Sequence, residues 1–254
     1  MKRILPVIKF KFSLPSAKRL ESEFHYSTSK KLTKVERAKE PKRTEIINYL
    51  ISFLDREVTY LEIGVRNPEE NFNHIKAHTK YSVDPGLEVK VNTADFPMTS
   101  DGFFEALDNG DVLSKETKFD VIFIDGLHLA NQVNKDIENA LRYLTDDGFI
   151  VLHDCNPPSE WHARETYYYI DTPAGSFWNG TTWKAFLKWR FNPEVYSCCI
   201  DSDWGVGILS QKHKIGNSIA PTNIFYEYND LKENRVELMN LIDFDQLKKS
   251  LNNA

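Results

Sequence analysis

The chain has 254 residues, 41% of them hydrophobic and 13% aromatic, with a formal net charge of −5. That length supplies one well-buried core, so one large domain with appendages fits better than two equal domains. In "MKRILPVIKFKFSL" Lys9 and Lys11 break the apolar run, which argues against both a secretory leader and a membrane span. The cysteines are Cys155, Cys198 and Cys199, with no CxxC spacing, a pattern that suits a reducing cytoplasm.

Charge is unevenly spread. Residues 1–43 hold 13 Lys or Arg against 4 Glu, and the remainder holds 19 basic against 33 acidic residues, so a basic arm precedes an acidic body. Because Glu is interspersed among the cations, the arm is expected to dock on its own domain or on a second subunit rather than on nucleic acid or an anionic lipid.

After Pro41, "KRTEIINYLISFLDRE" spaces Ile46, Ile47, Leu50, Phe53 and Leu54 for a helix, and "VTYLEIG" follows as a buried strand. "KYSVDPG" predicts a second strand, and "SDGFFEAL" a helix capped by Thr99 or Ser100 that follows a third strand end. "FDVIFIDG" and "GFIVLHD" are apolar strands on either side of the helix "NQVNKDIENALRYL". Apolar strands separated by helices indicate a parallel sheet covered on both faces. "EVYSCCID" and "WGVGILS" predict an antiparallel hairpin, and residues 212–254 a helical tail.

In an open parallel sheet, ligands bind beyond the carboxyl ends of the strands. The first strand ends at Glu62, Ile63 and Gly64, and the next helix is expected to start with Asn67 as cap, Pro68, and then Glu69 and Glu70 in its first turn. The G-x-G-x-x-G pattern is absent, and two carboxylates would repel a pyrophosphate. A ligand with an ammonium and a sulfonium suits the site, with Arg66 on its carboxylate; S-adenosylmethionine carries those charges. Asp84, followed by Pro85 and Gly86, is placed to accept from two ribose hydroxyls, and Ser100 and Asp101 to bind an adenine amino group.

In order, the blocks "YLEIGV", "YSVDPG", "MTSDGFF", "FDVIFIDGLH", "DIENAL", "GFIVLHDCNPP", "GTTWKAF" and "DSDWGVGIL" resemble the class I S-adenosylmethionine-dependent methyltransferases, in particular the sugar and small-molecule O-methyltransferase-like branch. The resemblance implies a Rossmann-like, doubly wound, mostly parallel seven-stranded sheet with helices on both faces, covering residues 44–211. It also implies that Glu62 and Gly64 belong to the cofactor loop, that Asp84 serves the ribose, and that Asp125 and Gly126, with His128, lie beside the reactive methyl group. Arg66-Asn67-Pro68 stands where many relatives have another glycine.

Methyl transfer to a hydroxyl needs positioning and a base, for which His128 and His153 are the candidates. Asp125 and Asp154, near Asn156, resemble the Mg²⁺ cluster of catechol-type members of the fold, a second way to activate a hydroxyl. Between 161 and 191 lie ten aromatics, suited to a sugar ring or another small hydroxylated acceptor; Trp161, Trp178, Asn179 and Lys184 are the expected contacts. A non-catalytic cofactor-binding subunit of the same fold and a nucleotide-dependent oxidoreductase are the alternatives.

Overall fold

The computed structural model describes residues 22–253. Its strands are β1 (Thr59–Ile63), β2 (Thr79–Val83), β3 (Phe119–Ile124), β4 (Leu144–Leu152), β5 (Tyr196–Ile200), β6 (Val206–Ser210) and β7 (Leu241–Ile242). They form one sheet in the order β2-β1-β3-β4-β6-β5-β7. β1, β2, β3 and β4 run parallel, β6 is antiparallel to both β4 and β5, and β7 is parallel to β5.

Side chains alternate across this sheet with the period of two that strands impose. Leu61, Ile122, Ile150 and Cys199 enter one core with α3 (Ser100–Asn109), α4 (Ala130–Tyr143) and α5 (Thr182–Arg190). Tyr60, Val121, Val151 and Cys198 enter the other with α2 (Arg43–Phe53) and α7 (Phe244–Asn252). The sheet is therefore doubly wound, as the resemblance implies, and the adjacent Cys198 and Cys199 face opposite cores.

Three local expectations change. The segment after β1 is not a helix but two single 3₁₀ turns, Pro68–Glu70 and Phe72–His74. Asn67 does cap the first, accepting from the Glu69 N–H at 3.2 Å, but Asn71 turns inward to Tyr60 and Glu62 and breaks the run. The expected strand before "TSDGFF" is reduced to a bridge between Val83 and Phe96; Thr99 caps the helix that follows. The seventh strand comes instead from the tail, where β7 lies between α6 (Tyr228–Leu238) and α7.

Residues 1–21 lie outside the described residues, and the rest of the basic arm is part of the body. Glu23 caps α1 (Phe24–Ala38) by accepting from the His25 and Tyr26 N–H groups. Its inward stripe Ser29, Thr33 and Glu36 is buried. Glu36 accepts from the Trp204 N–H at 3.0 Å, Thr33 meets His162 at 3.0 Å, and Lys39 pairs with Asp201 at 2.6 Å. Arg43, the last residue assigned to the arm, opens α2 and reaches the site.

Candidate active site

The strand order reverses between β1 and β3, so the loops leaving them diverge and open a crevice at their carboxyl ends. At its floor Gly64, at φ +97°, sits so close to the Asp125 carbonyl that any Cβ would collide with it. The glycine lets the two loops meet: the Gly64 N–H donates to Val83 and the Asp125 N–H to Ile63. A cavity of about 590 Å³ opens above them, within the range of small-molecule sites.

One end of the cavity carries Glu62, Gly64, Arg66, Asp84, Pro85, Ser100 and Asp101, the residues expected to hold the cofactor. Glu62 accepts from Tyr60 Oη at 2.6 Å and from Asn71 Nδ2 at 2.9 Å. Burial pushes its carboxyl up to about 7, although both hydrogen bonds oppose that. Asp84 accepts from the Gly86 N–H at 2.6 Å, which fixes the turn through Pro85. Arg66 is 57% exposed and already paired with Glu70 at 3.1 Å and Glu88 at 3.7 Å, so a ligand carboxylate would share it with two acids. Asp136, unremarked in the sequence, also lines the cavity; Gln132 bridges it to Ser100 and Asp101, and burial raises its pKa.

The other end holds a cluster of charges. Asp125 lies 3.3 Å from His128 Nε2 and 3.2 Å from His153 Nδ1. Asp154 lies 3.2 Å from His128 Nδ1 and 3.5 Å from His153 Nδ1. Burial disfavours charge on both histidines, but the two aspartates outweigh it, so the pKa of His128 is raised and that of His153 raised strongly. Burial acts likewise against the Asp125 carboxylate, yet His153, His128 and Arg43 hold it well below the usual range.

Two members of this cluster escaped the sequence reading. Arg43 Nη1 pairs with Asp203 at 3.1 Å and approaches His153 Nε2 at 3.4 Å, while Asp203 lies 3.4 Å from His153 Nε2. Arg43 sits among ordinary surface cations in the chain, and Asp203 in a hairpin turn. The one local cue is "DSDW", where Asp203 and Trp204 both take positive φ.

For a metal, the donor atoms of Asp125, His128 and Asp154 lie within 4.8 Å of one another. His128, not Asn156, joins the two aspartates; Asn156 turns away to Arg235 and Asp201. Two carboxylates and an imidazole fit a borderline divalent ion better than Mg²⁺, which favours an all-oxygen set.

Of the expected acceptor contacts, Trp178 lines the cavity and stacks on His128 with centroids 5.2 Å apart. Tyr167 and Ser176 line it too. Trp161 lies outside, against His25 of α1, because that helix covers it. Lys184 also lies outside, paired with Glu165 at 3.4 Å. Asn179 is buried and donates to Asp154 at 2.7 Å, so it orients a carboxylate rather than facing a ligand. The loop is pinned by Arg164, which donates to the carbonyls of Trp161, Thr166, Tyr167, Gly175 and Phe177.

A family model described as "Methyltransferase domain" matches residues 31–155. Among solved structures, an O-methyltransferase from Bacillus cereus in complex with SAH is 16% identical with a TM-score of 0.39, over 72% of this chain and 89% of that one. A methyltransferase from Podospora anserina, bound to SAH, is 16% identical with a TM-score of 0.36, over 84% and 100%. The O-methyltransferase TomG from Streptomyces achromogenes, in complex with SAM, is 11% identical with a TM-score of 0.41, over 77% and 95%. No curated protein matches.

Proposed function

We propose that the chain, whose residues 31–155 match a methyltransferase-domain model, is a class I S-adenosylmethionine-dependent methyltransferase that methylates a hydroxyl of a sugar-like small molecule. The observation that carries this reading is the continuity of one cavity, from Glu62, Asp84 and Ser100 at one end to Asp125, His128 and Trp178 at the other. When bound, S-adenosylmethionine supplies a methyl group on a cationic sulfur, open to in-line displacement.

In this reading Asp84 accepts from the ribose hydroxyls, Glu62 takes the ammonium, and Ser100 and Asp101 meet the adenine edge. The rings of Trp178 and Tyr167 pack a sugar face, and the Ser176 hydroxyl serves one of its edges. His128 takes the acceptor proton as the new C–O bond forms and the S–C bond breaks. Its raised pKa means that it first has to lose its own proton, so turnover rises with pH above the ordinary histidine value of about 6.5.

A second reading gives Asp125, His128 and Asp154 to a divalent ion, which would lower the pKa of a bound hydroxyl. His128 cannot be both ligand and base, so exhaustive chelation separates the two readings. Turnover that survives keeps His128 as base, and turnover restored by added metal makes it a ligand.

Incubation with methyl-labelled cofactor and a panel of nucleotide sugars and lipid-linked glycans tests the acceptor class. Label on a sugar oxygen supports the proposal. A melting shift with S-adenosylmethionine but no transfer to any acceptor favours a non-catalytic subunit, and a shift with NAD alone would favour an oxidoreductase.

A further inference from the structure

α1 has two faces. Ser29, Thr33 and Glu36 bind the body, while Lys30, Lys31, Lys34 and Arg37 are exposed on the other side. Among the described residues no ion pair engages these four, whereas Lys39, Lys42 and Arg43 at the end of the same segment are all paired. Arg37 lies over the Phe177 ring at 5.7 Å, which joins this face to the insertion.

Beside it stands an exposed apolar edge. Tyr168 is 85% and Tyr169 65% exposed, and Ile170, Phe24 and Val35 are exposed as well. The loop rests on α1 through Tyr26 Oη, which donates to the Asp171 carbonyl at 3.2 Å. It is also the outer end of a chain of rings that runs into the cavity. Tyr168 meets Tyr167 at 6.1 Å, Tyr167 meets Trp178 at 5.6 Å, and Trp178 stacks on His128.

We propose that the outer face of α1 and the 167–170 loop dock the protein on a bilayer that carries anionic phospholipid headgroups. Unpaired lysines beside exposed tyrosines and aliphatics are what a membrane interface takes up: the cations stay with the headgroups and the amphipathic rings enter just below them. No helix among the described residues is long and apolar enough to cross a membrane, so the contact is peripheral. In the sequence, residues 1–21 add six Lys or Arg against one Glu, interleaved with Ile, Val, Leu and Phe, the same combination. Aliphatic side chains such as Ile170 and Val35 suit lipid rather than the phosphate backbone of a nucleic acid. The docking stands apart from the methyltransferase reading; that it turns the cavity mouth toward lipid-held acceptors rests on that reading.

The test is co-sedimentation of the full chain with vesicles of phosphatidylcholine alone or mixed with phosphatidylglycerol, which needs neither cofactor nor acceptor. The protein should pellet with the anionic vesicles, and binding should weaken as salt is added. Replacing Lys30, Lys31 and Lys34 together by Gln should weaken partition on the order of a hundredfold, with the parental thermal melt retained as proof of folding. The separate pair Tyr168→Ser and Tyr169→Ser should weaken partition without changing its salt dependence. Equal binding to neutral vesicles, parental binding by the lysine variant, or binding to single-stranded RNA but not to vesicles would overturn the proposal.

Discussion

The two ends of the cavity are built differently. At the end proposed for the cofactor, Glu62, Gly64 and Asp84 sit at or just beyond the end of a strand, and Ser100 opens α3. Sheet hydrogen bonds fix them, since the Gly64 and Asp125 N–H groups are tied into neighbouring strands. At the end proposed for the acceptor, Tyr167, Ser176 and Trp178 belong to a loop with no strand of its own, held by the five carbonyl contacts of one guanidinium, Arg164. A scaffold-borne site resists change, whereas a loop-borne site is remodelled at little cost to the fold. On the proposed reading, the acceptor can therefore change while the cofactor stays.

Substitutions in the charge cluster and at either end break or sharpen that contrast. The largest effect belongs to the charge cluster beside Trp178. His128→Ala should slow turnover by about 10²- to 10⁴-fold while binding of S-adenosylmethionine, measured by calorimetry, barely moves.

Next comes Glu62→Gln, which should act on the cofactor end alone. The Glu62 carboxyl has a folded pKa raised to about 7 above an ordinary value of 4.5, so the folded state holds the proton longer than the unfolded one. Its contribution to stability is complete below about 4.5 and is lost as pH rises through about 7, a change on the order of 3 kcal/mol. Cofactor binding has the opposite slope, because a ligand ammonium favours the ionised carboxylate. Thermal melts and affinities across this window should show both slopes in the parent and neither in the variant.

Arg164→Ala should act on the acceptor end alone. Hydrogen bonds from a charged group are worth about 1.5 to 3 kcal/mol, so KM for the acceptor should rise roughly tenfold or more while cofactor affinity holds. Arg164→Lys should fail to rescue it, since an ammonium cannot reach five carbonyls from one plane. A matching fall in cofactor affinity would mean that the two ends are one mechanical unit. The smallest effect is expected at Lys184, which pairs with exposed Glu165 outside the cavity: Lys184→Ala should leave both KM values unchanged.

The same contrast explains what the sequence made legible. The strands around Tyr60, Ile122 and Ile150 announce themselves by apolar runs, and the strand-end residues Asp84, Asp125, His128, His153 and Asp154 do line the cavity. Arg43 and Asp203 were hidden because their meeting depends on α2 crossing the hairpin turn, 160 residues apart in the chain. Trp161 and Trp178 looked alike as loop aromatics; the covering by α1, a helix whose inward stripe is polar, separated them. The 3₁₀ turns after β1 depend on Asn71 finding Tyr60 and Glu62, a tertiary contact that overrides the capping signal at Asn67.

β7 has a consequence for how the molecule is made. Leu241 and Ile242 cover the outer edge of β5, and the Asn240 amide donates to the Ser197 and Ile215 carbonyls beside it. During synthesis that edge stays open after β5 has left the ribosome, until β7, which follows it only after β6 and α6, has emerged as well. A message cut short just before codon 241 would yield a protein with every residue of the cavity and an unprotected sheet edge, a template for pairing with its neighbours.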